Sequence, residues 1–245
     1  MCERRTTTRG ELKHLLRIGK GLMCETQVIL KDLDLSGMDL RDLSFKNATI
    51  DNVDFSYTQG RKADFTGASI KNSTFNRTCL KHGSWSEATI QNTTFACAEL
   101  HCSDFSHARF KDVSMLEASL SYSGFEGSRL LRVDFHNTNS RSTKWRGAIL
   151  YDVSFKGSRL SGAQLKNTKG LVIREVGPVG TYCGPVTYLP ADNIVIAGCW
   201  QGSEEAFYAK CLEVEKKHPD SNLSLDIAQY MVRVTKKDYK EGNIQ

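Results

Sequence analysis

The sequence predicts a mainly β solenoid: a chain that turns every five residues into a rod, with a small α+β domain after it. Three observations carry this. Large apolar residues recur at every fifth position, as in "ATIQNTTFACAELHCSDF", where Ile90, Phe95, Leu100 and Phe105 are the bulky members. An amphipathic helix repeats every 3.6 positions and a half-buried strand every two, so neither fits. The flanking positions follow the same period, small before each bulky residue and turn-forming after it. All four prolines fall beyond residue 170, where the periodicity has ended.

Residues 1–27 read as an N-terminal cap. A stack of coils exposes an open edge at each end, and solenoids cover such edges. Thr8-Arg9-Gly10-Glu11 has the form of a capping box, and Leu12, Leu15, Leu16 and Gly19 face one side of a short helix. The start, "MCERRTTTRGELKHLL", lacks the apolar run of a signal peptide, and no stretch approaches a membrane span of roughly 18 apolar residues. A cytoplasmic location is expected.

From Leu30 to Leu165 the five-residue series has 28 members, and only Gly60 and Ser140 are not bulky. Two residues before each anchor stands a second inward position, Val28, Leu33, Met38, Leu43, Ala48, Val53 and onward to Ala163, mostly small. Two residues after each anchor, Gly, Asn or Asp fills 16 of 28 positions. These residues tolerate tight corners and left-handed backbone. No proline interrupts the repeat, as expected where ladder donors are needed.

"VDFSY", "ADFTG", "SDFSH", "AELHC" and "AQLKN" stand close to the pattern A(D/N)LxG, and residues 28–169 thereby resemble the pentapeptide-repeat family. The resemblance implies a right-handed four-sided β-helix with four pentapeptides per coil. Twenty-eight repeats then make about seven coils, a rod about 34 Å tall at a strand spacing near 4.8 Å. The aromatic residues support the square section independently. Twelve anchors are aromatic, and eleven of them have numbers ending in five. Rings therefore sit on two opposite walls and aliphatics on the other two, which fills a close-packed interior without overfilling it. Gly60 and Ser140 lie four coils apart on one aliphatic wall, where the core is expected to be thinner.

Residues 170–245 change character. "LVIREV", "PVTYL" and "NIVIAGCW" read as strands, and Ser203 with Glu204 and Glu205 opens a helix burying Phe207, Cys211 and Val214. A second helix is expected from Ser224 to about Tyr239, with Ile227, Tyr230, Met231 and Val234 buried. Gly198, Cys199, Gly202, Ser203 and Phe207 match a pattern that resembles a C-terminal module of phage and prophage proteins. That module transfers no activity.

No reaction chemistry emerges. Eight cysteines without a CxxC pair suggest buried free thiols, not a zinc or disulfide framework. His82 and Cys102 are one coil apart with Tyr122 next in the column, but no third ligand or orienting carboxylate joins them. His107 and His136 read as isolated and solvated. There is no G-x-S-x-G, phosphate loop or HExxH, so no enzyme, cofactor or metal is expected.

The surface carries the remaining signal. Some pentapeptide-repeat proteins imitate double-stranded DNA and bind type II topoisomerases. A 34 Å mimic would replace roughly twenty negative charges, yet residues 28–169 hold 19 Lys+Arg against 15 Asp+Glu. Whole-length mimicry is disfavoured; the acidic first coils, with Asp32, Asp34, Asp39, Asp42, Asp51 and Asp54, keep a topoisomerase ligand as one alternative. Residues 106–169 hold 11 basic and 5 acidic residues. Arg109, Arg129, Arg132, Arg141, Lys144, Arg146 and Arg159 are the candidate partner-binding residues there. The expected function is a non-enzymatic protein–protein interaction module, phage-encoded, that modulates or inhibits a host enzyme or defence complex. Sequence-independent nucleic-acid binding through the basic half is the other alternative, and pairing of two chains through the C-terminal domain is a further expectation.

Overall fold

The computed structural model describes residues 5–6, 10, 28–170, 174–179, 184–217 and 222–240. Seven strands stack in parallel on one wall of a rod: β2 (Val28–Asp34), β3 (Thr49–Asp54), β4 (Ser69–Lys71), β5 (Thr89–Thr94), β6 (Arg109–Ser114), β7 (Arg129–Asp134) and β8 (Ile149–Ser154). A short strand, β1 (Arg5–Thr6), adds to the β2 edge, Arg5 opposite Val28. The helix expected over 12–19 lies outside the described residues. Register is held at twenty residues throughout, as in Leu30 opposite Ile50 and Leu130 opposite Leu150. Six full turns separate β2 from β8, and the segment running to Lys169, which bridges Ile149, closes a seventh.

The five-residue period has a backbone cause. All 28 residues two beyond an anchor, from Asp32 to Asn167, have positive φ. Glycine, asparagine and aspartate adopt that conformation at low cost, but Tyr57, Lys62, Arg77, Glu87 and Tyr122 are held in it too. On three walls the corner is closed by a bond from the next inward residue back to the anchor, such as Ala48 N–H to Phe45 C=O at 3.0 Å. On the first wall no such bond is described, and strands such as β3 run through the corner.

Inside, the rings form two columns. Phe45, Phe65, Trp85, Phe105, Phe125 and Trp145 stack in series with interplanar angles of 8–22°. Phe55, Phe75 and Phe95 begin the second column, and Phe135 and Phe155 continue it beyond Met115. Contacts between the columns are edge-to-face, such as Phe75 with Trp85 at 5.5 Å and 81°. Both geometries suit the ring quadrupole. Phe110, the one ring out of series, lies against Phe105 and Phe125 beside the break at Met115. The space at Gly60 is taken by Leu80, whose Cδ2 would sit 2.7 Å from an added Cβ. Ser140 is fully buried and hydrogen-bonds Thr138 at 2.9 Å.

Beyond the rod, β9 (Arg174–Val179), β10 (Gly184–Leu189), β11 (Ile194–Ala197) and β12 (Trp200–Gly202) form an antiparallel sheet in the order β12-β11-β10-β9. Helix α1 (Glu204–Lys217) packs on β11 and β12, and helix α2 (Asn222–Lys240) on β9. The middle strands of the sheet, β10 and β11, are buried on both faces. Leu189, Ile194 and Ile196 join the core of the rod, while Val186, Tyr188 and Val195 meet Phe207, Cys211, Ala228 and Val232 of the helices. Ser203 caps α1 by accepting from Ala206 N–H at 3.2 Å. The buried stripe of α2 differs from expectation: Ala228, Val232 and Thr235 are inside, Met231 packs beside them, and Tyr230 is exposed. The small residues let the helix sit close to the sheet, which turns Tyr230 outward. The side chains of Ile227 and Val234 lie outside the described set. Among the described residues no helix is long and apolar enough to cross a membrane.

Candidate interaction surface

Four flat walls carry every outward side chain, and a residue's wall follows from its place in the twenty-residue coil. The first wall bears β2–β8. Arg109 and Arg129 stand one above the other there, with Arg132 at its far corner. Arg159 pairs in register with Asn139 on the third, opposite wall, which also carries Arg141. Lys144 bridges to Gly124 and Gln164 on the fourth wall, with Arg146 beside it. The seven candidates are all exposed, but the fold does not gather them on one face. Arg132 differs again, because its guanidinium pairs with Asp112 at 2.5 and 3.0 Å. That hydrogen bond holds the Asp112 carboxyl below its ordinary range. Among the described residues no acidic partner pairs with the other six.

The acidic stretch has local work. Asp34, Asp54, Asp64, Asp104 and Asp134 each accept the backbone N–H two residues on, at 2.8–2.9 Å. This is why aspartate recurs just before the anchor: its carboxylate completes the corner. Asp32 accepts from Asn52 at 2.7 Å and Asp51 from Asn72 at 2.9 Å, so these carboxylates join side-chain ladders between coils.

The upper first wall has a distinct composition. Outward columns read Thr49, Ser69, Thr89 and then Arg109, Arg129, Ile149; beside them Asp51, Lys71, Gln91 give way to Lys111, Leu131, Tyr151. Leu131 is 37% and Tyr151 57% exposed, and the two are register partners. At the adjoining corner a cleft of about 490 Å³ is lined by Arg132, Asp134, His136, Asp152 and, from beyond the rod, Ala191 and Tyr239, with Val133 and Val153 among the remaining lining.

His136 is not isolated. Its Nδ1 lies 2.5 Å from Asp134 Oδ1, on the rim of that cleft. The sequence spacing of two hides this contact, which the corner creates. His82 and Cys102 are both exposed, and Cys79 and His101 share their wall. Among the described residues no three His, Cys, Asp or Glu side chains group closely enough to hold a metal. Of the described cysteines only Cys211 is buried; Cys102 and Cys199 are exposed because they stand at outward or loop positions.

Residues 88–165 match the family model described as "Pentapeptide repeat region". No curated protein matches the sequence. Among solved structures, full-length QnrB1, a plasmid-mediated fluoroquinolone resistance protein, is 18% identical, with 57% of this chain and 83% of that one covered at a TM-score of 0.28. HetL, a pentapeptide repeat protein involved in heterocyst differentiation regulation in the cyanobacterium Nostoc sp. strain PCC 7120, is 17% identical over 66% of this chain and 94% of that one, TM-score 0.22. A pentapeptide repeat protein from the thylakoid lumen of Arabidopsis thaliana is 26% identical over 52% of this chain and 65% of that one, TM-score 0.21.

Proposed function

We propose that this chain, a pentapeptide-repeat protein over its central rod, is a non-catalytic interaction module that binds another protein through the basic half of its walls. One observation carries the reading: Arg109, Arg129, Arg141, Lys144, Arg146 and Arg159 project from flat walls with no described acidic partner. Unpaired surface cations set a field that steers an acidic partner and fixes its orientation. A flat wall offers contact area and no enclosure for a substrate. The resemblance of the C-terminal module to phage proteins supports a host enzyme or defence complex as the target, with inhibition or modulation as the consequence.

The test is an affinity pull-down of tagged full-length protein from nuclease-treated bacterial lysate, read by mass spectrometry. Recovery of one stoichiometric protein, lost on charge reversal of Arg109 and Arg129 or of Arg141 and Arg146, supports the reading. Recovery of nothing, together with salt-sensitive retention of DNA or RNA when nuclease is omitted, overturns it in favour of nucleic-acid binding.

A further inference from the structure

Resting on that reading, we propose that the docking site is the upper first wall together with the corner cleft, and that it takes a short acidic protein segment carrying one aromatic or aliphatic anchor. Lower on the wall the fold accepts short polar or singly charged residues at these positions, Thr49, Ser69 and Thr89 with Asp51, Lys71 and Gln91 beside them, without loss of register. From β6 upward the same positions change to Arg109, Lys111, Arg129, Leu131, Ile149 and Tyr151. Their side chains point away from the core, so the change is not a packing demand.

Single exposed apolar residues are ordinary. Here Leu131 and Tyr151 are adjacent in register and framed by arginines, and tyrosine and arginine are residue types enriched at interface hot spots. No described acidic residue pairs with Arg109, Lys111 or Arg129. Arg132 is already neutralised by Asp112. The patch therefore offers cations around an apolar centre, and its complement is carboxylates around an apolar side chain. The cleft at the corner after Tyr151, with Val133, Val153 and Tyr239 in its lining, is the place for that uncharged anchor, while Asp134 and Asp152 in the same lining keep the segment's carboxylates out on the wall.

Size selects the occupant. Three rungs span about 14 Å and four residues of strand about 13 Å, a patch on the order of 200 Å², far less than the roughly 800 Å² that each partner gives to a standard interface. A segment fits, and a whole domain would have to find most of its contact elsewhere. Duplex DNA would present about eight charges along that length, against three unpaired cations and an apolar centre it cannot use.

The experiment uses the full chain and a fluorescein-labelled twelve-residue peptide, rich in glutamate with one central tryptophan, followed by anisotropy. Saturable binding is expected, weakened at least tenfold by Arg129→Glu, by Tyr151→Ala and by replacing the peptide's tryptophan with alanine. Arg141→Glu and Arg146→Glu, on other walls, should change it less than twofold. Thermal melts establish that each variant is folded, since all four positions are exposed and can be replaced without touching the core. Equal loss from every charge reversal, indifference to Tyr151, tighter binding of a labelled oligothymidylate or no saturable binding each overturns the proposal. If the peptide fails while the pull-down partner is lost on reversing Arg141 and Arg146, this site is wrong and the interaction reading stands. Failure of both removes both.

Discussion

The side-chain amide of Gln201 hydrogen-bonds the backbone N–H of Leu160. It also donates to the carbonyl of Ser158, and so stands where the main chain of one more coil would stand. Asp192 accepts from Phe155 N–H at 3.3 Å, and Gly198 C=O accepts from Gly162 N–H at 2.8 Å. The last coil is thus completed by Gln201 of β12 and by Asp192 and Gly198 of the turns on either side of β11, an edge covered in the way solenoids require.

Gln201→Ala removes both amide contacts and leaves the Leu160 N–H and the Ser158 carbonyl without that partner. A loss of about 1–3 kcal/mol is expected. Amide hydrogen exchange should rise at Leu160 first, with the lower coils unchanged. Unaltered protection at Leu160 would show that the contact does not hold the edge.

Asp192 gives a pH signature. Burial pushes its carboxyl above the ordinary 3.8, despite the bonds from Phe155 and Ser154 and the nearby His136 and Lys156. A raised pKa means the folded state keeps the proton to higher pH than the unfolded chain. Its contribution to stability is therefore largest in acid and falls as pH rises from about 3.8 through the folded value. Asp192→Asn keeps an acceptor and removes the titration. The variant's melting temperature relative to wild type should climb across that window and level off above it; a flat difference refutes the assignment.

Gly60 separates pattern from packing. The repeat calls for leucine there, yet Leu80 already occupies the space. Gly60→Leu should destabilise by about 1–3 kcal/mol through overpacking. A rise in denaturation midpoint would mean that the wall has a void after all.

The corners supply the fourth prediction. Lys62 and Arg77 hold φ of 62° and 55° on exposed positions. Left-handed backbone costs a side-chain-bearing residue roughly 1–2 kcal/mol, which glycine avoids while losing more chain entropy. Lys62→Gly and Arg77→Gly should each be neutral to stabilising by up to about 1 kcal/mol. Gly67→Ala should destabilise, since its Cβ would lie 2.4 Å from Asn47 Oδ1. Urea titrations of the three variants decide this, and a clear loss in either glycine variant would count against the corner argument.

Sequence alone determined the rod. A strict period of five names the inward residues, and turn-formers two places on, with rings confined to numbers ending in five, leave one cross-section that packs. Local chemistry suffices there because each coil touches only its neighbours, so register propagates by repetition. It also marked three of the four strands and both helices of the C-terminal region, but not which face α2 buries, because Tyr230 and Ala228 are separated by packing and not by periodicity. The twenty-residue coil also fixes the wall of each candidate cation, although grouping them by nearness in sequence hides this. Arg132, Arg141 and Arg146 are close in sequence and fall on different walls, because five residues turn the chain through a corner. The ion pair of Arg132 with Asp112, the contact of His136 with Asp134, the cleft they border and the seating of Gln201 on Leu160 all depend on separate turns or separate domains meeting. Only the tertiary structure decides what those corners and edges bring together.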